Sequence, residues 1–116
     1  MSNQDSGIQF NTVEEAIEDI AQGKFVIVAD DEGRENEGDL ICAAELITPN
    51  MLNFLVTEAR GWVCLALTAE KAHELSLAPM VEKNTESQET AFTVTIDADP
   101  KFGVTTGISA YDRATT

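Results

Sequence analysis

Positive charge is scarce in this sequence. Seven lysines and arginines face 21 aspartates and glutamates, a formal net charge of -14. Such a chain repels nucleic acid and anionic membrane surfaces, so neither is an expected partner. An anionic substrate would need a local positive centre: a metal ion, an arginine or backbone N–H groups. Aromatic residues make up only 6% of the chain, too few for a surface that stacks nucleobases. No segment approaches the ~18 apolar residues of a membrane span. Residues 1–7 are polar and carry no basic, apolar targeting signal, so a cytoplasmic location is expected. The two cysteines, Cys42 and Cys64, lie inside apolar runs and read as buried free thiols. No internal repeat and no low-complexity stretch is visible.

What remains is material for one domain: 116 residues, 43% apolar and 24% charged, enough for a modest core. Residues 1–11 read as a disordered tail. Residues 12–22 read as a helix, because Val13, Ala16, Ile17 and Ile20 share one face. Thr12 and Glu15 form a capping box, and Gly23 is a stop. Residues 24–30 are apolar and β-branched, the pattern of a strand covered on both sides. A loop over 31–38 and a second strand over 39–45 follow. Thr48 caps a second helix with Pro49 at its first position, and Gly61 ends it. Residues 62–67 read as a strand and residues 68–75 as a capped helix. Residues 76–90 form a long polar loop, a common place for a lid or binding element. Residues 91–97 alternate as a strand. After a turn at 99–103, Ser109 caps a last helix. Helices alternate with strands, so the class is α/β.

The densest chemistry lies in residues 30–39, Asp-Asp-Glu-Gly-Arg-Glu-Asn-Glu-Gly-Asp, with six carboxylates in ten positions. Carboxylates repel one another, and a divalent cation is the usual offset. Several readings compete. One is a solvated acidic turn. Another is a calcium EF-hand, which fails: counting back from Gly33 or Gly38 places Val28 or Gly33 at the first ligand position, and the flanks read as strands. A magnesium or manganese site fits better, because Mg²⁺ takes one or two carboxylates plus water and substrate oxygens. In extended chain Glu35 and Glu37 would share a face. Arg34 offers a planar fork suited to a phosphate or carboxylate.

Other residues are less telling. Thr105, Thr106 and Gly107 precede a helix start, where backbone N–H groups attract phosphate, though Thr-Thr-Gly is also common turn chemistry. Cys64 reads first as a small buried thiol. His73, the only histidine, reads as a surface residue. Arg113 reads as a surface partner of Asp112.

The run Asp30 to Leu40, with its Arg34-Glu35-Asn36-Glu37-Gly38-Asp39 core, resembles the signature of the 3,4-dihydroxy-2-butanone 4-phosphate synthases of riboflavin biosynthesis. Further blocks follow in order: Val63-Cys64-Leu65, Met80-Val81-Glu82-Lys83-Asn84-Thr85, Phe92-Thr93-Val94-Thr95, and Gly103 through Arg113. The resemblance runs from about residue 12 to the last. It implies a carbon–carbon lyase that converts ribulose 5-phosphate to 3,4-dihydroxy-2-butanone 4-phosphate and formate. The route would be metal-assisted enolisation, dehydration and rearrangement with Mg²⁺ or Mn²⁺.

The resemblance also implies roles. Glu35 would be a metal ligand; Arg34, Glu35, Asp39, Thr105 and Thr106 would contact the substrate. Glu37 and Asp39 would move protons, and Cys64 would stand near the reacting atoms. The implied fold is a three-layer α/β/α sandwich with a mixed sheet, and the implied assembly is a homodimer with sites at the subunit interface. Residues 12–116 would be the N-terminal part of that domain. A second metal ligand, the histidine of an Arg-x-Gly-His-Thr segment, and a late glutamate would lie past Thr116. Two alternatives stay open: a non-catalytic acidic α/β module that binds a divalent ion or a partner, and a piece of a synthase fused to GTP cyclohydrolase II.

Overall fold

A computed structural model describes residues 7, 9–88 and 90–116. Residues 1–6 and 8 of the expected tail lie outside the described residues. Helix α1, Val13–Ala21, begins as its sequence dictates. The Glu15 amide donates to Thr12 Oγ1 at 3.2 Å, and the Thr12 amide donates to Glu15 Oε2 at 2.8 Å. This reciprocal pair satisfies two of the orphan donors at the helix start. The apolar face is present but uncovered, with Val13 and Ile17 exposed.

Strand β1, Val26–Ala29, pairs antiparallel with β2, Gly38–Ile41. Val26 stands opposite Ile41 and Ala29 opposite Gly38. The acidic run is therefore the connection of a two-stranded hairpin, closed where the Asp30 amide donates to the Glu37 carbonyl at 2.9 Å. The expectation of a strand covered on both sides is corrected: Ile27 is 72% exposed and Val28 is exposed too. The second strand is also shorter than the expected 39–45. Ala43 and Ala44 favour a pleated surface poorly, and the chain turns into a 3₁₀ turn over Ala44–Leu46.

Helix α2, Pro49–Phe54, starts where Thr48 Oγ1 accepts from the Met51 amide at 3.2 Å. It widens into a π-helical turn over Leu55–Ala59. Arg60, in the left-handed region at φ 57°, ends it one residue before the expected Gly61. The Phe25 ring stacks on Phe54, centroids 5.4 Å apart, tying the entrance of β1 to α2. Helix α3, Ala69–Glu74, is capped by Thr68, and α4, Ala110–Thr115, by Ser109. Helix α4 packs on α2. The apolar residues buried among those described are Leu52 of α2 and Val104, just before α4.

Two expected strands do not form ladders. Residues 62–67 run without strand pairing, and Trp62 is 76% exposed, touching the Phe92 ring edge-on at 5.6 Å. Residues 91–97 make a single bridge, Thr93 opposite Pro79. It is flanked by hydrogen bonds from the Met80 amide to Phe92 O and from the Val94 amide to Ala78 O, each 2.9 Å. The alternation of Phe92, Val94 and Ile96 is real, yet all three are exposed. A strand needs an extended neighbour to become a sheet; among the described residues 62–67 pair with no strand and 91–97 pair only through the Thr93–Pro79 bridge.

The unit is thus a small mixed α/β assembly with one two-stranded antiparallel sheet. Its radius of gyration is 16.8 Å, against ~13 Å for a compact domain of this length. Its accessible surface is 9835 Å², against about 6,200 Å² for a compact domain of this mass. Among the described residues no helix is long and apolar enough to cross a membrane.

Candidate active site

Asp30, at the end of β1, organises the acidic loop. Its Oδ1 accepts from Arg34 Nε at 2.9 Å, and its Oδ2 accepts from the Glu35 amide at 2.9 Å. Arg34 Nη2 then reaches Glu35 Oε2 at 3.1 Å. Only 12% of the Asp30 side chain is exposed, against half of Arg34. The Arg34 hydrogen bond first, then the Glu35 amide and the guanidinium charge, outweigh desolvation and hold the Asp30 carboxyl below the usual carboxylate range. Arg34 is correspondingly raised, chiefly by its bond to Asp30. One carboxylate is spent on rigidity so that an arginine and a second carboxylate project from a fixed base.

The rest of the loop is a chain of tight turns. Asp31 Oδ1 accepts from the Gly33 amide at 2.9 Å, and Asp31 O accepts from the Arg34 and Asn36 amides at 2.9 and 3.3 Å. Asn36 stands at φ 53°, a left-handed conformation that asparagine tolerates well. The expectation that Glu35 and Glu37 share a face presumed extended chain, and this turn overturns it. Glu37 closes the hairpin through its carbonyl, while Asp39 lies one residue into β2, opposite Val28. The Glu37 and Asp39 side chains accept no hydrogen bond from other described residues and remain exposed.

The second candidate region is the connection over residues 103–109. Asp112 of α4 is 6% exposed, and its Oδ2 accepts from the Thr105 amide, the Thr105 hydroxyl and the Gly107 amide at 3.1, 3.1 and 3.0 Å. Burial opposes its ionisation, but the Gly107 and Thr105 donors prevail and hold the carboxyl below its usual range. The expected ion pair with Arg113 does not form; Asp112 turns to the loop instead. The Thr105 and Gly107 amides are thus occupied by an internal carboxylate. Thr106 is exposed and makes no hydrogen bond to another described residue.

Gly107 explains why the loop needs glycine. Its φ is +80°, and a Cβ there would fall on the Asp97 carboxylate. Cys64 is exposed rather than buried, and Cys42 is half-buried, its thiol pushed up by desolvation. His73 is exposed, as its sequence position suggested. Among the described residues one cleft of about 400 Å³ lies beside His73 and Pro79 and another of about 340 Å³ beside Ile96 and Phe102. Neither is lined by the acidic loop, Cys64, Thr105 or Thr106. Among the described residues no three histidine, cysteine or carboxylate groups converge into a metal cage.

A family profile described as 3,4-dihydroxy-2-butanone 4-phosphate synthase matches residues 14–116. The chain belongs to the 3,4-dihydroxy-2-butanone 4-phosphate synthase family. It is 61% identical over 108 residues to the riboflavin biosynthesis protein RibBA of Aquifex aeolicus, and 60% identical over 107 residues to RibBA of Synechocystis. The matches cover 93% and 92% of this chain but 27% and 19% of those proteins. Among solved structures, a 3,4-dihydroxy-2-butanone 4-phosphate synthase in complex with two magnesium ions superposes with a TM-score of 0.86 at 44% identity. That match covers 90% of this chain and 48% of the other. RibBX of A. baumannii, a two-domain synthase, gives 0.81 at 50% identity, covering 91% and 30%.

Within this synthase family the Arg-Glu-Asn-Glu-Gly-Asp run was legible as a motif, but two organising residues were not. Asp30 was counted as one more carboxylate in the cluster. The available signal was an aspartate at a strand end with an arginine four positions on. Asp112 was paired with the wrong partner. The signal there was its place three residues after the Ser109 cap, where a short side chain turns back toward the loop.

Proposed function

We propose that this chain carries the acidic-loop part of a 3,4-dihydroxy-2-butanone 4-phosphate synthase site. The polypeptide that contains it would convert ribulose 5-phosphate to 3,4-dihydroxy-2-butanone 4-phosphate and formate. The observation that carries this reading is the bracing of Arg34 and Glu35 by Asp30 inside the family motif. A cation and an anion are held side by side, near two exposed carboxylates that have no hydrogen-bond partner among the described residues.

The loop suits a hard divalent cation that takes one carboxylate plus water and substrate oxygens, because Glu35 offers an oxygen ligand. Glu35 is the residue assigned to hold Mg²⁺ or Mn²⁺, and its 32% exposed side chain leaves room for water and substrate oxygens. The bound ion would supply Lewis-acid polarisation of the substrate's carbonyl and hydroxyl oxygens. A synthase among the structural relatives was solved with two magnesium ions, which supports a divalent metal for this site.

The chain's own residues divide the remaining work. Arg34 keeps free N–H donors on its exposed side and orients the anionic substrate. Glu37 and Asp39 take and return protons, one removing the proton beside the ketone and the other protonating the departing hydroxyl. Exposed Cys64 borders the reacting carbons, and Thr105 and Thr106 line the far wall.

The finer architecture belongs to the same reading: a three-layer α/β/α sandwich, a cytoplasmic homodimer, and sites completed at the interface. The exposed faces of β1 and of residues 62–67 and 91–97 are the surfaces such a sandwich would cover. RibBA relatives several times longer than the match favour a parent with a further domain, such as GTP cyclohydrolase II. The test is formate release from ribulose 5-phosphate by the full polypeptide, with Mg²⁺ and after chelation. Release that stops on chelation and returns with Mg²⁺ supports the proposal. A polypeptide that binds Mg²⁺ yet releases no formate would instead be the non-catalytic acidic module.

A further inference from the structure

The connection over residues 103–109 would be loose without Asp112. It holds two glycines and two adjacent threonines, and its donors need partners wherever water is excluded. One buried oxygen, Asp112 Oδ2, takes the Thr105 amide, the Thr105 hydroxyl and the Gly107 amide together. The backbone of Asp112 is fixed as well. Its amide donates to Ser109 Oγ at 3.0 Å, and its carbonyl accepts from Thr116 Oγ1 at 3.0 Å. Thr116 Oγ1 in turn accepts from the Ala98 amide at 3.0 Å. The Asp97 carboxylate, next to Ala98, lies where a Cβ of Gly107 would stand. The loop is thus clamped between Asp112 and the 97–98 segment.

This clamp separates two threonines that sequence alone treats as equivalent. The single proton of the Thr105 hydroxyl is committed to Asp112, so that group has none to give a substrate. Thr106, between the two clamped amides, is exposed, and neither its amide nor its hydroxyl is hydrogen-bonded to another described residue. We propose that Asp112 is a positioning residue: it fixes residues 105–107 so that Thr106, and not Thr105, donates to the phosphosugar. This rests on the synthase reading given above. Asp112 touches no substrate and acts through Thr106 alone.

The test uses the full polypeptide that carries this sequence, with Mg²⁺ and ribulose 5-phosphate. Asp112→Asn keeps the shape but removes the charge that holds three donors. The expected outcome is a KM raised about five- to tenfold, the loss of roughly one hydrogen bond to substrate, with kcat within about twofold. Thr106→Ala should raise KM by a similar factor, and adding Asp112→Asn to it should change little further. Thr106→Ser should restore binding in the otherwise unmodified protein. Additive penalties in the double variant would overturn the proposal, as would a loss confined to kcat.

A second readout does not depend on activity. Amide hydrogen exchange at Thr105 and Gly107 should accelerate at least tenfold in Asp112→Asn while Leu52 stays protected. Unchanged exchange at both amides would overturn the clamp itself. An unmodified polypeptide that shows the protected amides but releases no formate would overturn the synthase reading and, with it, the role of Thr106 toward the phosphosugar. Formate release with additive penalties would overturn the present inference alone.

Discussion

Asp30 Oδ1 and Oδ2 hold different partners, the Arg34 guanidinium and the Glu35 amide, so a change here acts on both. In the full polypeptide, Asp30→Ala is expected to lower kcat/KM roughly 100-fold, the scale of a misplaced catalytic group. Circular dichroism should remain that of the native protein, because the side chain supports the loop and no core. Gly107→Ala acts differently. It puts a Cβ on the Asp97 carboxylate and forces alanine to φ +80°. The expected cost is about 1–3 kcal/mol in denaturant unfolding. Acid should loosen the same region. The folded Asp112 carboxyl lies below its usual range, so its hydrogen bonds stabilise the loop above the unfolded value of ~3.9. That contribution fades as pH falls through the lower folded value. Exchange at Gly107 should therefore stay slow down to about pH 4 and rise below it.

At the scale of elements, the helix starts obey local rules. Thr12, Thr48, Thr68 and Ser109 each accept from an amide three residues on. Replacing Thr12 by alanine should cost about 1 kcal/mol and fray α1 first, visible as faster exchange in its opening turn. Because these signals involve side chain and backbone within one turn, all four helix starts were legible in the sequence. Strands were not legible in the same way. Residues 91–97 alternate cleanly, but alternation says which face is apolar and says nothing about whether a neighbour exists. Ala43 and Ala44 gave a local warning that β2 would stop early. The loop shows the same division. The residue types at 34, 35, 37 and 39 carry the family motif and with it the proposal of metal and proton chemistry. Their geometry depended on Asn36 at φ 53°, which no spacing rule for extended chain could supply.

For the whole molecule, the governing fact is apolar surface without cover. Val13, Ile17, Ile27, Trp62 and Phe92 are all exposed, and burial among the described residues is confined to a few around Leu52 and Val104. Patches of this kind mark a surface built to be covered. Residues 1–116 alone should therefore bind a hydrophobic dye strongly, and the full polypeptide weakly. The isolated piece is also expected to release little or no formate, since on the proposed reading Glu35 would be only one of the metal ligands the site needs. The central claim is that the acidic loop holds the divalent ion through Glu35 and moves protons through Glu37 and Asp39. It is tested most directly by titrating Mn²⁺ into the full polypeptide and following formate release, in the unmodified protein and in Glu35→Gln. The account predicts that Glu35→Gln weakens Mn²⁺ binding and abolishes turnover while the fold survives. Unchanged Mn²⁺ affinity with unchanged formate release in that variant would contradict it.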